Sequence, residues 1–151
     1  MKNAKVIALW GKGGTGKTTT LNILIDRMKS ISRLVDIGKI SVAPKDNWAI
    51  FEYKGKMVGI VTAGDDGNVL KEGFKELDQK CELCDVYVCA TRTKRSSCKY
   101  IESEFPDSNI MWQRKWSITI ENGSMASLKK LQDDANKKQA SALIDAIDAL
   151  L

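Results

Sequence analysis

The residues best suited to chemistry stand near the amino terminus. Gly11-Lys12-Gly13-Gly14-Thr15-Gly16-Lys17-Thr18 fits the spacing G-x-x-x-x-G-K-[ST] without a mismatch. Glycines at such positions let the backbone take positive φ and turn successive N–H groups inward, where a side chain would obstruct. A helix opening at Lys17 would aim its unpaired N–H groups and the positive end of its dipole at the same point. Lys17 then supplies a point charge for the outer oxygens of a polyphosphate, and the Thr18 hydroxyl completes a Mg²⁺ shell. With Thr19 beside them, residues Gly11 to Thr19 are the candidate phosphate contacts.

Such a loop needs a carboxylate near the metal, at the end of a strand beside the loop strand. Asp65 and Asp66 follow the apolar run Gly59-Ile60-Val61 and are the candidates, with Asp65 preferred; turn chemistry is the bland reading of Gly64-Asp65-Asp66-Gly67. Arg92, Lys94 and Arg95 share one loop after another apolar run. Arg92 and Arg95 are placed to stabilise charge on a transferred phosphoryl group or to hold an anionic acceptor, against the alternative of a solvated basic loop. The candidate catalytic set is therefore Lys17, Asp65, Arg92 and Arg95.

These residues make the chain resemble a P-loop nucleotide-binding protein. Lys12-Gly13-Gly14-Thr15-Gly16-Lys17-Thr18-Thr19-Thr20 further resembles the K-G-G-x-G-K-T-T loop of the plasmid-partition and septum-positioning ATPases, a likeness confined to about residues 6 to 25. That likeness implies that Lys12 reaches the phosphates of a partner subunit in an ATP-bound homodimer; a surface lysine is the plain alternative. Elsewhere the chain departs from those ATPases: Leu34-Val35-Asp36-Ile37-Gly38 is at best a remnant of their second strand, and Thr62-Ala63-Gly64 stands where an acidic switch would begin. The paired runs Trp48–Tyr53 and Met57–Thr62, with their Lys54-Gly55-Lys56 loop, resemble the antiparallel second and third strands of small GTPases, but Thr91-Arg92-Thr93-Lys94 replaces the guanine-reading Asn-Lys-x-Asp of that family. ATP with Mg²⁺ is the expected ligand pair. The chain also resembles nucleoside-monophosphate and small-molecule kinases, in which a mobile arginine-bearing lid does the work expected of Arg92 and Arg95.

The elements that must position these groups are legible from hydrophobic pattern. Val6 to Trp10 is a short apolar run ending at the glycine loop, as in a strand buried on both faces. From Lys17 to about Ser30, Leu21, Leu24, Ile25 and Met28 recur at helical spacing. Trp48–Tyr53 and Met57–Thr62, separated by Lys54-Gly55-Lys56, read as a β-hairpin. Leu70 to Lys80 is expected as a helix, Asp85 to Ala90 as a buried strand, Ser97 to Glu104 as a helix stopped by Pro106, and Ile110 to Trp116 as a last strand with Trp112 and Trp116 in the core or at its rim. Met125 to Leu151 lacks glycine and proline and is helical, Asp133 to Gln139 being an exposed middle turn or a break between two helices. The expected fold is a single α/β domain over residues 1–151, a three-layer P-loop-like sandwich whose sheet is mostly parallel with one antiparallel hairpin.

Composition bounds the rest. The chain has 151 residues, 43% hydrophobic and 28% charged, enough for one core and too few for a separate substrate domain. Its 24 Lys and Arg against 19 Asp and Glu give +5, which suits an anionic partner. With no histidine, imidazole chemistry is excluded. No apolar run nears the ~18 residues that span a bilayer, so no membrane association and a cytoplasmic location are expected. Four cysteines, Cys81, Cys84, Cys89 and Cys98, are expected as reduced structural residues rather than a zinc or redox site. Lys129, Lys130, Lys137 and Lys138 read as a solvated helix face, so nucleic acid is not indicated. Three functional classes fit: a small kinase-like phosphotransferase for an anionic acceptor, a partition-type ATPase switch that dimerises around ATP, and a binding module that holds nucleotide without chemistry.

Overall fold

Residues 2–82, 84–92, 96–118 and 124–151 are described in a computed structural model of the chain. Six strands form one sheet in the order β2-β3-β4-β5-β1-β6. β1 (Lys5–Trp10), β4 (Lys56–Val61), β5 (Val86–Thr91) and β6 (Ile110–Arg114) run parallel, joined by the pairings β4–β5, β5–β1 and β1–β6. β3 (Ala43–Tyr53) is antiparallel both to β4 and to β2 (Arg33–Ile40).

The expected hairpin is present and tighter than its sequence suggests. Tyr53 pairs with Lys56, leaving Lys54 and Gly55 as a two-residue turn at φ 52° and 77°, the backbone that matches strand twist. The sheet holds a second antiparallel pairing because β2, unread in the sequence beyond Leu34–Asp36, runs for eight residues along its edge. Asp36, Gly38 and Lys39 dilute its apolar pattern, and register shifts at Leu34/Asp36 and Lys39/Ile40 break its alternation.

Period-two alternation splits the interior into two cores. Ile7, Leu9, Val86, Val88 and Ala90 pack with Leu21, Leu24, Ile25 and Met28 of α1 (Lys17–Ile31) and with Ala140, Leu143 and Ile147 of α4 (Met125–Leu150). Val6, Ala8, Tyr87 and Cys89 pack instead with Leu70, Phe74 and Leu77 of α2 (Gly67–Lys80) and with Ile101 of α3 (Ser96–Glu104). Helices therefore cover both faces of β1 and β5, which explains their uninterrupted apolar runs. Each fully buried leucine or phenylalanine contributes about 1.5–3 kcal/mol.

Three expectations change. α4 is unbroken over 26 residues, and Asn136 and Gln139, read as part of an exposed turn or break, are buried at 3% and 0%. β6 ends at Arg114, and Trp112 and Trp116 stay 40% and 44% exposed, so neither belongs to the core. The strand leading to Asp65 is not beside the loop strand, since β5 lies between β4 and β1. Among the described residues no helix is long and apolar enough to cross a membrane.

Candidate functional site: a cleft at the sheet edge

The parallel strands all end at one edge of the sheet, where α/β proteins bind ligands. β1 delivers the Gly11–Gly16 loop there, β4 delivers Asp65, and β5 delivers Arg92. Because β3 is antiparallel, its beginning reaches the same edge and brings Asp46.

The loop turns on Gly14 and Gly16, at φ 76° and 87°, a backbone that only glycine adopts without strain. Gly16 precedes α1 and provides no side-chain cap, so the first N–H groups of that helix face the cleft without an internal partner. Gly14, Gly16, Lys17, Thr18, Thr19 and Asp65 line an opening of about 310 Å³. The Lys17 ammonium donates to the carbonyl oxygens of Gly11 at 2.6 Å and Lys12 at 3.4 Å and lies 3.5 Å from Asp65 Oδ1. Burial pushes its pKa below the usual lysine value, and the Asp65 carboxylate offsets part of that shift. Arg92 closes the other side. Its Nε lies 3.5 Å from the same Asp65 oxygen, and a Cβ on Gly13 would meet its guanidinium at 2.0 Å. Gly13 thus allows the arginine to rest on the loop.

The sequence candidates separate clearly. Gly11 to Thr19, Asp65 and Arg92 converge. Asp66 does not face the loop: its Oδ1 accepts from Asn68 N–H at 2.7 Å and caps α2, the turn role that Asp often plays. Lys12 is exposed, and the loop uses its carbonyl oxygen, which accepts from Thr15 Oγ1 at 2.8 Å. Arg95 lies outside the described residues. Cys81 and Cys84 form no disulfide, their sulfurs 3.9 Å apart, and burial raises the Cys84 pKa. Among the described residues no group of three or more Cys, Asp or Glu is placed to hold a metal ion.

Two features escaped the sequence reading. Asp46 accepts from Thr62 Oγ1 at 3.0 Å, while Thr18 Oγ1 donates to Thr62 O at 3.4 Å, so a second carboxylate stands one residue behind Thr18. Burial raises the Asp46 pKa. Its signal was the hairpin register: extending the Trp48–Val61 pairing by two places sets Asp46 opposite Ala63.

The second is a polar cluster behind the loop. Lys115, 4% exposed, donates to Asn136 Oδ1 at 2.7 Å and Trp116 O at 2.5 Å, and a Cβ on Gly11 would lie 3.1 Å from its Cβ. Asn136 abuts Gly16, and Gln139 ties α4 to the chain by accepting from Trp116 N–H at 2.8 Å and donating to Arg114 O at 2.8 Å. Burial with neutral partners pushes the Lys115 pKa down to about 8. Between that value and the unfolded lysine's, about 10.4, the unfolded chain holds a proton on this lysine that the folded one has released, so the contribution of Lys115 to stability rises with pH across the window. From about pH 7.5 to about pH 10 the urea midpoint will move less favourably in Lys115→Met than in the parent, because this contribution is gone, while the buried Cys84 and Cys89 thiols, whose raised pKa values pull stability the other way, act on both chains alike.

Among protein-family models, curated proteins and solved structures, none gives a significant match to this chain. Function rests on the site.

Proposed function

We propose that the chain binds Mg²⁺-ATP in the cleft at Gly11–Thr19 and transfers the terminal phosphoryl group to a small anionic acceptor, on a three-layer P-loop-type scaffold. The observation that carries this reading is the meeting of Lys17, Asp65 and Arg92 at one mouth, with each cation 3.5 Å from the same carboxylate oxygen. One carboxylate shared by two cations is an arrangement that a polyphosphate can enter: its oxygens replace Asp65 and the loop carbonyls as the cations' partners.

The donor set also fits magnesium. The Thr18 hydroxyl and the Asp65 carboxylate are hard oxygen groups that would hold the ion, and Asp46, hydrogen-bonded through Thr62 to the same neighbourhood, would add negative charge behind it. Held there, Mg²⁺ would offset the negative charge of the phosphates. Lys17 then holds the outer phosphates, the N–H groups at the start of α1 hold the inner ones, and Arg92 stabilises charge that develops as the bond to the leaving ADP breaks.

Asp65→Asn keeps the shape and removes the charge. Magnesium-dependent ADP release, assayed with nucleoside and nucleotide acceptors, will fall about 100-fold or more, because the ion that offsets charge on the transferring group loses its charged oxygen ligand. A parent-like rate in this variant would remove Asp65 from the mechanism. A second reading rests on the exposed side chain of Lys12: ATP-dependent dimerisation abolished by Lys12→Ala in a concentration series would make the chain a partition-type switch.

A further inference from the structure

α4 carries one stripe along its whole length. In its second half Ala140, Leu143 and Ile147 on that stripe are wholly buried. In its first half the same stripe, at Met125, Leu128, Gln132 and Asp133, leaves the core and overhangs the glycine loop, with Met125 80% exposed. Between this overhang and the segment after β6 lies a groove of about 460 Å³, lined by Gly14, Thr15, Ile118, Leu128 and Asp133 among others. Gly14 lines both this groove and the cleft at Lys17 and Asp65, so the two are adjacent.

We infer that this groove takes the nucleoside half of the ligand, with the Asp133 carboxylate accepting from the ribose hydroxyls and the base lying on Ile118, Leu128 and Met125; the inference rests on the polyphosphate reading of the neighbouring cleft. Order along α4 decides the assignment. Asn136 sits against Gly16 of the loop. At about 1.5 Å rise per residue, Asp133 is about 4.5 Å further out, Leu128 about 12 Å and Met125 about 16 Å. A nucleoside triphosphate leaving the loop presents its parts in the same sequence: phosphate, ribose, base. A carboxylate only accepts hydrogen bonds, and a vicinal diol offers two donors at the nearer distance. The apolar side chains stand where a flat base would cover them.

Gln132 is unavailable as a base reader. Its amide donates to Trp116 O at 3.2 Å and Asn136 Oδ1 at 2.9 Å, and its oxygen accepts from Ile118 N–H at 2.9 Å. These bonds fix the groove wall instead. The site therefore distinguishes ribose more sharply than it distinguishes bases.

The test is calorimetric titration, with Mg²⁺ present, of ATP, 2′,3′-dideoxy-ATP and inorganic tripolyphosphate into the parent chain, Asp133→Ala and Leu128→Asp. The parent will bind ATP about tenfold or more tighter than the dideoxy compound. Asp133→Ala will remove that preference while its affinity for tripolyphosphate stays the same or rises, and Leu128→Asp will weaken ATP but not tripolyphosphate. Equal affinity of the parent for all three ligands, or a ribose preference that survives in Asp133→Ala, overturns the nucleoside groove and leaves the phosphate cleft standing. A parent that binds neither ATP nor tripolyphosphate overturns both.

Discussion

Lys17→Met will fold and will lose ATP and tripolyphosphate binding together. Lys17 makes one or two charge-assisted hydrogen bonds to phosphate oxygens in the proposed complex, worth about 1.5–3 kcal/mol each, so affinity will fall by about tenfold at the least and about ten-thousandfold at the most, read by titration at matched salt. The stability of the variant separates this from a folding defect. The lysine is 5% exposed, and burial lowers its pKa, so the folded state holds its charge at a cost. Methionine removes that cost together with the bonds to the Gly11 and Lys12 carbonyls, and the opposing terms leave the urea midpoint within about 1 kcal/mol of the parent. A variant that binds ATP as the parent does would place the phosphates elsewhere.

Gly64→Ala is expected to cost the most stability for the fewest added atoms. A Cβ there would lie 2.2 Å from both the carbonyl carbon and oxygen of Ala90 and 2.5 Å from its Cβ. Ala90 belongs to β5, hydrogen-bonded to β1 on one side and β4 on the other, so the obstructing atoms cannot move without parting the sheet. Overpacking typically costs about 1–3 kcal/mol and more where backbone is in the way, and about 3 kcal/mol lowers the thermal midpoint of a chain this size by about 6–12 °C. If the strain is instead relieved by the connection after β4, Asp65 moves away from Lys17 and Arg92, and magnesium-dependent binding falls with it. Gly14→Ala is the control: it meets open space and suffers only from its φ of 76°. It will bend the loop and weaken nucleotide binding while leaving the midpoint within about 1–2 kcal/mol of the parent. An unchanged midpoint in Gly64→Ala would contradict the close approach to β5.

The loop and the central strands were legible because one physical demand fixes each. Backbone N–H groups that must turn inward require glycine where Gly14 and Gly16 stand, and strands covered by helices on both sides require the unbroken runs Val6–Leu9 and Val86–Ala90. β2 was hidden because an edge strand has fewer neighbours to demand apolar residues. Asp133 to Gln139 suggested exposure or a break, since polar residues are usually solvated; in the folded chain Asn136 and Gln139 are buried because the segment from Arg114 to Trp116 and the lysine at 115 offer them hydrogen-bond partners. Those partners lie more than twenty residues away in the chain, and local pattern carries no trace of them. Asp66 misled for the opposite reason, as an Asp next to a glycine serves a helix cap as readily as a metal.

The proposal that polyphosphate binds at the edge loop is tested most directly by following the backbone amides of the ¹⁵N-labelled chain as Mg²⁺-ATP is added. The largest shifts are predicted at Gly13 to Thr19, where N–H groups face the cleft, with smaller ones at Asp65 and Arg92. Saturating Mg²⁺-ATP that leaves the Gly13–Thr19 amides unmoved, or that shifts only residues far from this edge of the sheet, would contradict the assignment of the site.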